Sequence, residues 1–157
     1  MYFHNIKDNR GAHIKYFSGN PEYKIDEVYS TVNNYGTIRG FHKSLTQDKY
    51  IQCITGKAYI LLIDEEDNSI IKKTISNEDE PIFVKKNTMW VGYQSLEDNT
   101  IMIYMNSGLY SKAGDLAANP CQIKIKEHNV VFEWPWLLDY EVSTISERDL
   151  KAEELIL

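Results

Sequence analysis

Turn-forming clusters punctuate this chain at short, even intervals: Asn9-Arg10-Gly11, Ser18-Gly19-Asn20-Pro21, Asn33-Asn34-Tyr35-Gly36, Thr55-Gly56-Lys57, Glu65-Glu66-Asp67-Asn68 and Ser76-Asn77-Glu78-Asp79. Little room for a long helix is left between them. Apolar or alternating runs of strand length fill the gaps and predict strands over 6–16, 27–32, 50–54, 58–63, 70–75, 82–84, 89–93, 101–105 and 123–125, with 130–132 as a last short one. Many short strands with few segments of 3.6-residue period predict an antiparallel all-β sandwich or barrel. Tyr59, Leu61 and Ile63 alternate with Ile60 and Leu62, so both faces of that strand are apolar and it is expected to run through the barrel centre. Only the C-terminus reads as helix. Ser146 suits an N-cap with Asp149 three residues on, and 148–157 is rich in helix formers. A chain of 157 residues without repeats or linkers is expected to form a single domain over 1–157.

Apolar residues make up 43% of the chain and aromatics 12%, including eleven tyrosines, which excludes wholesale disorder. The 17 basic and 23 acidic residues give a net charge of −6 without any lysine or arginine run, so neither nucleic acid nor an anionic membrane is an expected partner. Cys53 and Cys121 lie far apart, with no Cys-x-x-Cys spacing, and read as reduced thiols of a cytosolic protein. The first ten residues lack the apolar core of a secretory leader. No apolar segment approaches the ~20 residues of a membrane span. A soluble, cytoplasmic protein is expected.

Chemistry-bearing residues are few, and His42 stands out among only four histidines, His4, His13, His42 and His128. It closes the stretch Arg39-Gly40-Phe41-His42, with Gly36 just before and an apolar run ending at Gly56 just after. That setting is expected on the inner wall of a small β-barrel, facing a pocket. A metal site on such a wall would need about three nitrogen or oxygen ligands together, usually His-x-His with a later Glu and His. Here Lys43 and Ser44 follow His42, so no metal is expected.

Several stretches in order resemble the dTDP-4-dehydrorhamnose 3,5-epimerase family of sugar-nucleotide epimerases. Asp8-Asn9-Arg10-Gly11 is similar to its Asp-x-Arg-Gly, and Gly36-Thr37-Ile38-Arg39-Gly40-Phe41-His42 to its Gly-Val-Leu-Arg-Gly-Leu-His. Lys49 to Gly56 resembles its Lys-Leu-Val-x-x-x-x-Gly strand. Gly92-Tyr93-Gln94-Ser95-Leu96, followed by Tyr104 and Tyr110, resembles its Gly-Phe-x-x-Leu and the tyrosine-bearing strand beyond. Trp134-Pro135 and Ile145-Ser146-Glu147-Arg148-Asp149 resemble its closing Trp-Pro and Leu-Ser-x-x-Asp. Three departures stand out: Val91 occupies the place of a second family histidine, Lys15 that of an acidic residue and His13 that of an aromatic.

The resemblance implies a cupin, or jelly-roll, antiparallel β-barrel with a short C-terminal helix. It also implies an isomerase that epimerises C3, C5 or both in a nucleotide-linked 4-keto-6-deoxy sugar, expected to be dTDP-linked, in deoxysugar and cell-surface polysaccharide (lipopolysaccharide) biosynthesis. Both carbons lie beside the carbonyl, so a base on one face, an acid on the other and a cation near the enolate suffice, with no cofactor. By resemblance His42 is the base, Asp149 its orienting partner and Tyr110 the acid. Arg39, Lys49, Arg10 and Tyr104 hold substrate, and Arg10 reaches the pocket of the other subunit in a homodimer. Judged alone, Tyr110 fits a packing aromatic as well as an acid, with Tyr104 or Tyr93 then in its place. Asp149 alone fits a first-turn carboxylate favoured by the helix dipole. Two rival activities remain: a sugar-nucleotide 3,4-ketoisomerase, whose Arg-Gly-Phe-His is followed by Ala-His, and a non-catalytic sugar-nucleotide-binding cupin, suggested by Val91.

Overall fold

A computed structural model describes residues 4–18, 22–125, 130–131 and 144–156. His128, Phe132 and the Trp134-Pro135 motif lie outside the described residues. The strands are β1 (His4–Asp8), β2 (Gly11–Lys15), β3 (Glu27–Asn33), β4 (Thr37–Ser44), β5 (Asp48–Thr55), β6 (Ala58–Asp64), β7 (Ile70–Ile75), β8 (Ile82–Val84), β9 (Met89–Ser95) and β10 (Thr100–Ser107). They continue with β11 (Asp115–Ala117), β12 (Ile123–Ile125), β13 (Val130–Val131), β14 (Thr144–Ile145) and β15 (Leu155–Ile156), and one helix, α1 (Glu147–Leu150), precedes β15.

Two sheets face each other in a cupin jelly roll. One has the order β3-β10-β5-β8, and the other the order β11-β4-β9-β6-β7 with β14 added in parallel to β4. Burial of β6 follows from its two apolar faces. Ala58, Ile60 and Leu62 join Ile51, Cys53, Met102 and Tyr93 between the sheets, while Leu61 and Ile63 pack outside with Phe41, Trp90, Ile123 and Leu155. The expected central strand is thus buried on both sides, at 0–2% exposure from Ile60 to Ile63.

Three expectations change. The run 6–16 folds as a hairpin, β1 paired with β2 about Asn9-Arg10, because the turn signal there outweighs the continuous alternation. Strand β4 goes unforeseen, since Gly40 and the charged or polar Arg39, His42, Lys43 and Ser44 break its apolar pattern. The helix expected over 148–157 ends at Leu150. Leu155 instead pairs in parallel with Ile123 and is buried to 8% exposure, so packing overrides helix propensity. Ser146 does cap α1, its Oγ accepting from the Asp149 amide at 3.1 Å.

Candidate active site

A cavity of about 440 Å³ opens between the sheets, walled by β3, β4, β5, β9, β10 and the β14–α1 segment. One backbone irregularity decides what β4 presents to it. Arg39 lies across from Tyr93 and His42 across from Val91, so three steps on β4 match two on β9. The extra residue is a β-bulge. Ile38 and Phe41 therefore face the outer core while Arg39 and His42 both face the cavity. Gly40 sits in this bulge with φ +117°, and a Cβ there would come within 2.8 Å of both Gly92 Cα and Val91 O. Only glycine allows the two backbones to approach so closely.

On that wall His42 Nε2 lies 2.7 Å from Asp149 Oδ1, across 107 residues of sequence. Asp149 is buried, at 3% exposure. Burial pushes its carboxyl up, but the hydrogen bond and charge of His42, the Ser146 hydroxyl and Arg148 together pull it below the ordinary 3.8. It is therefore ionised near neutrality and can only accept a hydrogen bond. Nε2 therefore carries a hydrogen, and in the neutral ring the lone pair is on Nδ1.

Lys49, on β5, also lines the cavity at 8% exposure. Burial lowers its pKa from the ordinary lysine value, partly offset by the charges of Asp115 and Glu27. Arg39 lies at the cavity edge, its Nε donating to buried Asn33 Oδ1 at 2.6 Å. Tyr104 lines the cavity and stacks on Tyr29, ring centroids 4.6 Å apart. The hydroxyl of Tyr93, also on the cavity wall, meets Thr31 Oγ1 at 2.8 Å. Burial raises the pKa of both Tyr93 and Tyr104, well above the ordinary value for Tyr104.

The structure brings together His42, Asp149, Lys49, Arg39 and Tyr104 from the sequence reading. Tyr110 and Arg10 stand elsewhere. Tyr110 is 53% exposed, past the end of β10 and within electrostatic reach of Arg148 at the rim. Arg10 turns back on its own hairpin, its Nη2 2.6 Å from Asp8 Oδ2. Tyr29 and Thr31 on the wall were not foreseen, although the alternation of β3 puts both on one face with Asn33. Val91 lies directly across from His42 and lines the cavity, so the position that departs from the resemblance is part of the pocket. Among the described residues no three His, Cys, Asp or Glu side chains gather to hold a metal ion, and no helix is long and apolar enough to cross a membrane.

The model of the dTDP-4-dehydrorhamnose 3,5-epimerase family matches residues 2–156. The chain belongs to that family. This makes it an isomerase of the dTDP-sugar epimerase class. The rmlC epimerase of Mycobacterium tuberculosis superposes with a TM-score of 0.80 at 20% identity, over 97% of this chain and 80% of the other. A dTDP-4-dehydrorhamnose 3,5-epimerase from Bacillus anthracis, solved with TDP and pyrophosphate, gives 0.78 at 20% identity, over 98% and 91%. ChmJ, a 3'-monoepimerase from Streptomyces bikiniensis in complex with dTDP-quinovose, gives 0.79 at 21% identity, over 97% and 80%. No curated protein matches the chain by sequence search.

Proposed function

We propose that this epimerase inverts C3, C5 or both in a dTDP-linked 4-keto-6-deoxy sugar, with His42 as base and Tyr110 as acid, in deoxysugar and cell-surface polysaccharide biosynthesis. The observation that carries the reading is the His42–Asp149 pair at 2.7 Å on the wall of the cavity. Asp149 stabilises the imidazolium that forms when Nδ1 takes the proton beside the ketone, as the carboxylate does in a hydrolase triad. Lys49 and Arg39 supply positive charge for the enolate oxygen and the diphosphate. Tyr110 is favoured over Tyr93 and Tyr104 as acid. The Tyr93 hydroxyl is already engaged by Thr31, and burial raises the pKa of both phenols, which makes each a weaker donor. On this reading Tyr110, 53% exposed, turns inward over the bound sugar. No cofactor has a role in these steps.

Two features support a homodimer. The β1–β2 hairpin pairs only with itself among the described residues, and Val28 and Val32 on the edge strand β3 are 56% and 61% exposed. In the proposed dimer Arg10 leaves Asp8 and reaches the partner's cavity. A cytoplasmic setting agrees with the free thiols of Cys53 and Cys121.

Solvent deuterium tests the reading. The wild type in D2O with a dTDP-4-keto-6-deoxyhexose should place deuterium at C3 or C5 and yield inverted sugar. Tyr110→Phe should still exchange but form little inverted product, because the enolate recaptures its proton from the His42 side. Equal loss of exchange and inversion would move the acid role to Tyr93 or Tyr104. A second reading, a binder without turnover, is favoured by Val91 across from His42. Tight dTDP-sugar binding with no exchange at all would establish it.

A further inference from the structure

Arg148 and Asp115 stand beside the His42–Asp149 pair without belonging to it. Asp115 begins β11, which pairs with β4 so that Ala117 lies across from His42 and Asp115 across from Ser44. Its side chain is 9% exposed. Arg148 Nη1 donates to Asp115 Oδ2 at 2.9 Å, and Nη2 donates to the Asp115 main-chain oxygen at 2.7 Å. Two donors of one planar fork on one residue fix direction as well as distance. Arg148 immediately precedes Asp149 on α1, so this fork sets the turn from which Asp149 reaches His42.

The helix needs such ties. Four residues are too few to hold a shape by their own hydrogen bonds. Its far end is fastened separately, Asn119 Nδ2 donating to Leu150 O at 2.8 Å, and Leu155 anchors the chain beyond. Removing the Arg148 fork would therefore leave the turn that carries Asp149 fastened to the barrel on the Leu150 side only. Arg148 has 47% of its side chain exposed, and a pair this open adds little to stability. Its effect lies in orientation.

We propose that Asp115 and Arg148 form a positioning pair that holds Asp149 on Nε2 of His42 and so keeps the lone pair on Nδ1. The proposal rests on the reading of His42 as base. Losing the pair lets Asp149 drift, and the ring proton then divides between the two nitrogens.

Long-range 1H–15N correlation spectra of histidine-labelled protein at pH 8 read the tautomer without any substrate, the His42 signals being assigned by their loss in His42→Asn. The wild type should show the Nε2–H form alone. Arg148→Met keeps the stem but not the fork, and should show averaged nitrogen shifts. Its kcat should fall roughly ten- to a hundredfold with KM within about twofold, the scale of a misplaced group. Arg148→Lys, with the charge but one point of contact, should recover part of both. Asp115→Asn keeps volume and the main-chain acceptor, and should shift the tautomer in the same sense if Arg148→Met fails to fold. An unchanged His42 tautomer in Arg148→Met and Asp115→Asn would overturn the proposal. So would a raised KM with the wild-type tautomer, which would make Arg148 a substrate ligand. A tautomer that shifts in a protein exchanging no deuterium would uphold the pair and remove the epimerase reading instead.

Discussion

At His42, on the cavity wall, one ring nitrogen is held by Asp149 and the other takes the proton in the proposed chemistry. His42→Asn preserves a hydrogen bond to Asp149 but offers no basic nitrogen. Turnover of the 4-keto sugar should fall by at least ~10²–10⁴-fold, while dTDP binding, followed by calorimetry, stays near that of the wild type. Turnover within a few-fold of wild type would remove His42 from the chemistry. His42 was legible because Arg39-Gly40-Phe41-His42 is a contiguous pattern. Asp149 came only through the resemblance, since nothing local links residues 107 apart. Asp115 and Tyr29 were not legible at all. Each is one acidic or aromatic residue among many, and its place, Tyr29 on the wall and Asp115 beside Arg148, follows from pairing that the local sequence does not display.

Among the elements, strands with clean alternation and flanking turn residues were read almost to their ends, as with β6, β7 and β8. The strand that carries His42, β4, was hidden by the very residues that it turns to the cavity. Polar side chains on the cavity face and a glycine at the bulge erase the apolar signal. The end of α1 was misread because Leu155 has helix propensity but finds its burial against Ile123. The ties of α1 imply a response to acid. The Asp149 pKa is lower folded than unfolded, so its contribution to stability is complete above the unfolded value near 3.8 and is lost as pH falls through the lower folded value. Hydrogen exchange at the Asp149 and Leu150 amides should therefore rise below about pH 4, ahead of the central β6 amides. Simultaneous loss of protection in both would show that the helix does not open by itself.

For the whole molecule, the barrel brings His42, Asp149, Lys49 and Arg39 to one cavity from one chain, but Arg10 remains outside it. If the dimer completes the site, sedimentation should find a dimer at micromolar concentration. Arg10→Ala should weaken dTDP binding about tenfold, as expected for a lost charged hydrogen bond, and leave the dimer intact. A monomer at that concentration with wild-type affinity would mean that each chain is self-sufficient.

Strand alternation is a matter of odd and even, and the bulge in β4 changes the count once, just before the histidine. Ironed into a regular strand without the bulge, the same residues would exchange the two positions after Gly40. Phe41 would then point into the cavity, and His42 into the apolar layer formed by Trp90, Leu61 and Ile123. The composition would be unchanged, yet an imidazole would be stranded in the core and a phenyl ring would stand on the cavity wall. Losing Gly40 would instead remove the bulge and keep Arg39 and His42 on one face. Conversely, a second insertion between Arg39 and His42 would bury the ring again, whereas edits beyond Ser44 would leave its facing untouched. The identity of the catalytic wall thus depends on the number of residues in this strand as much as on their kinds.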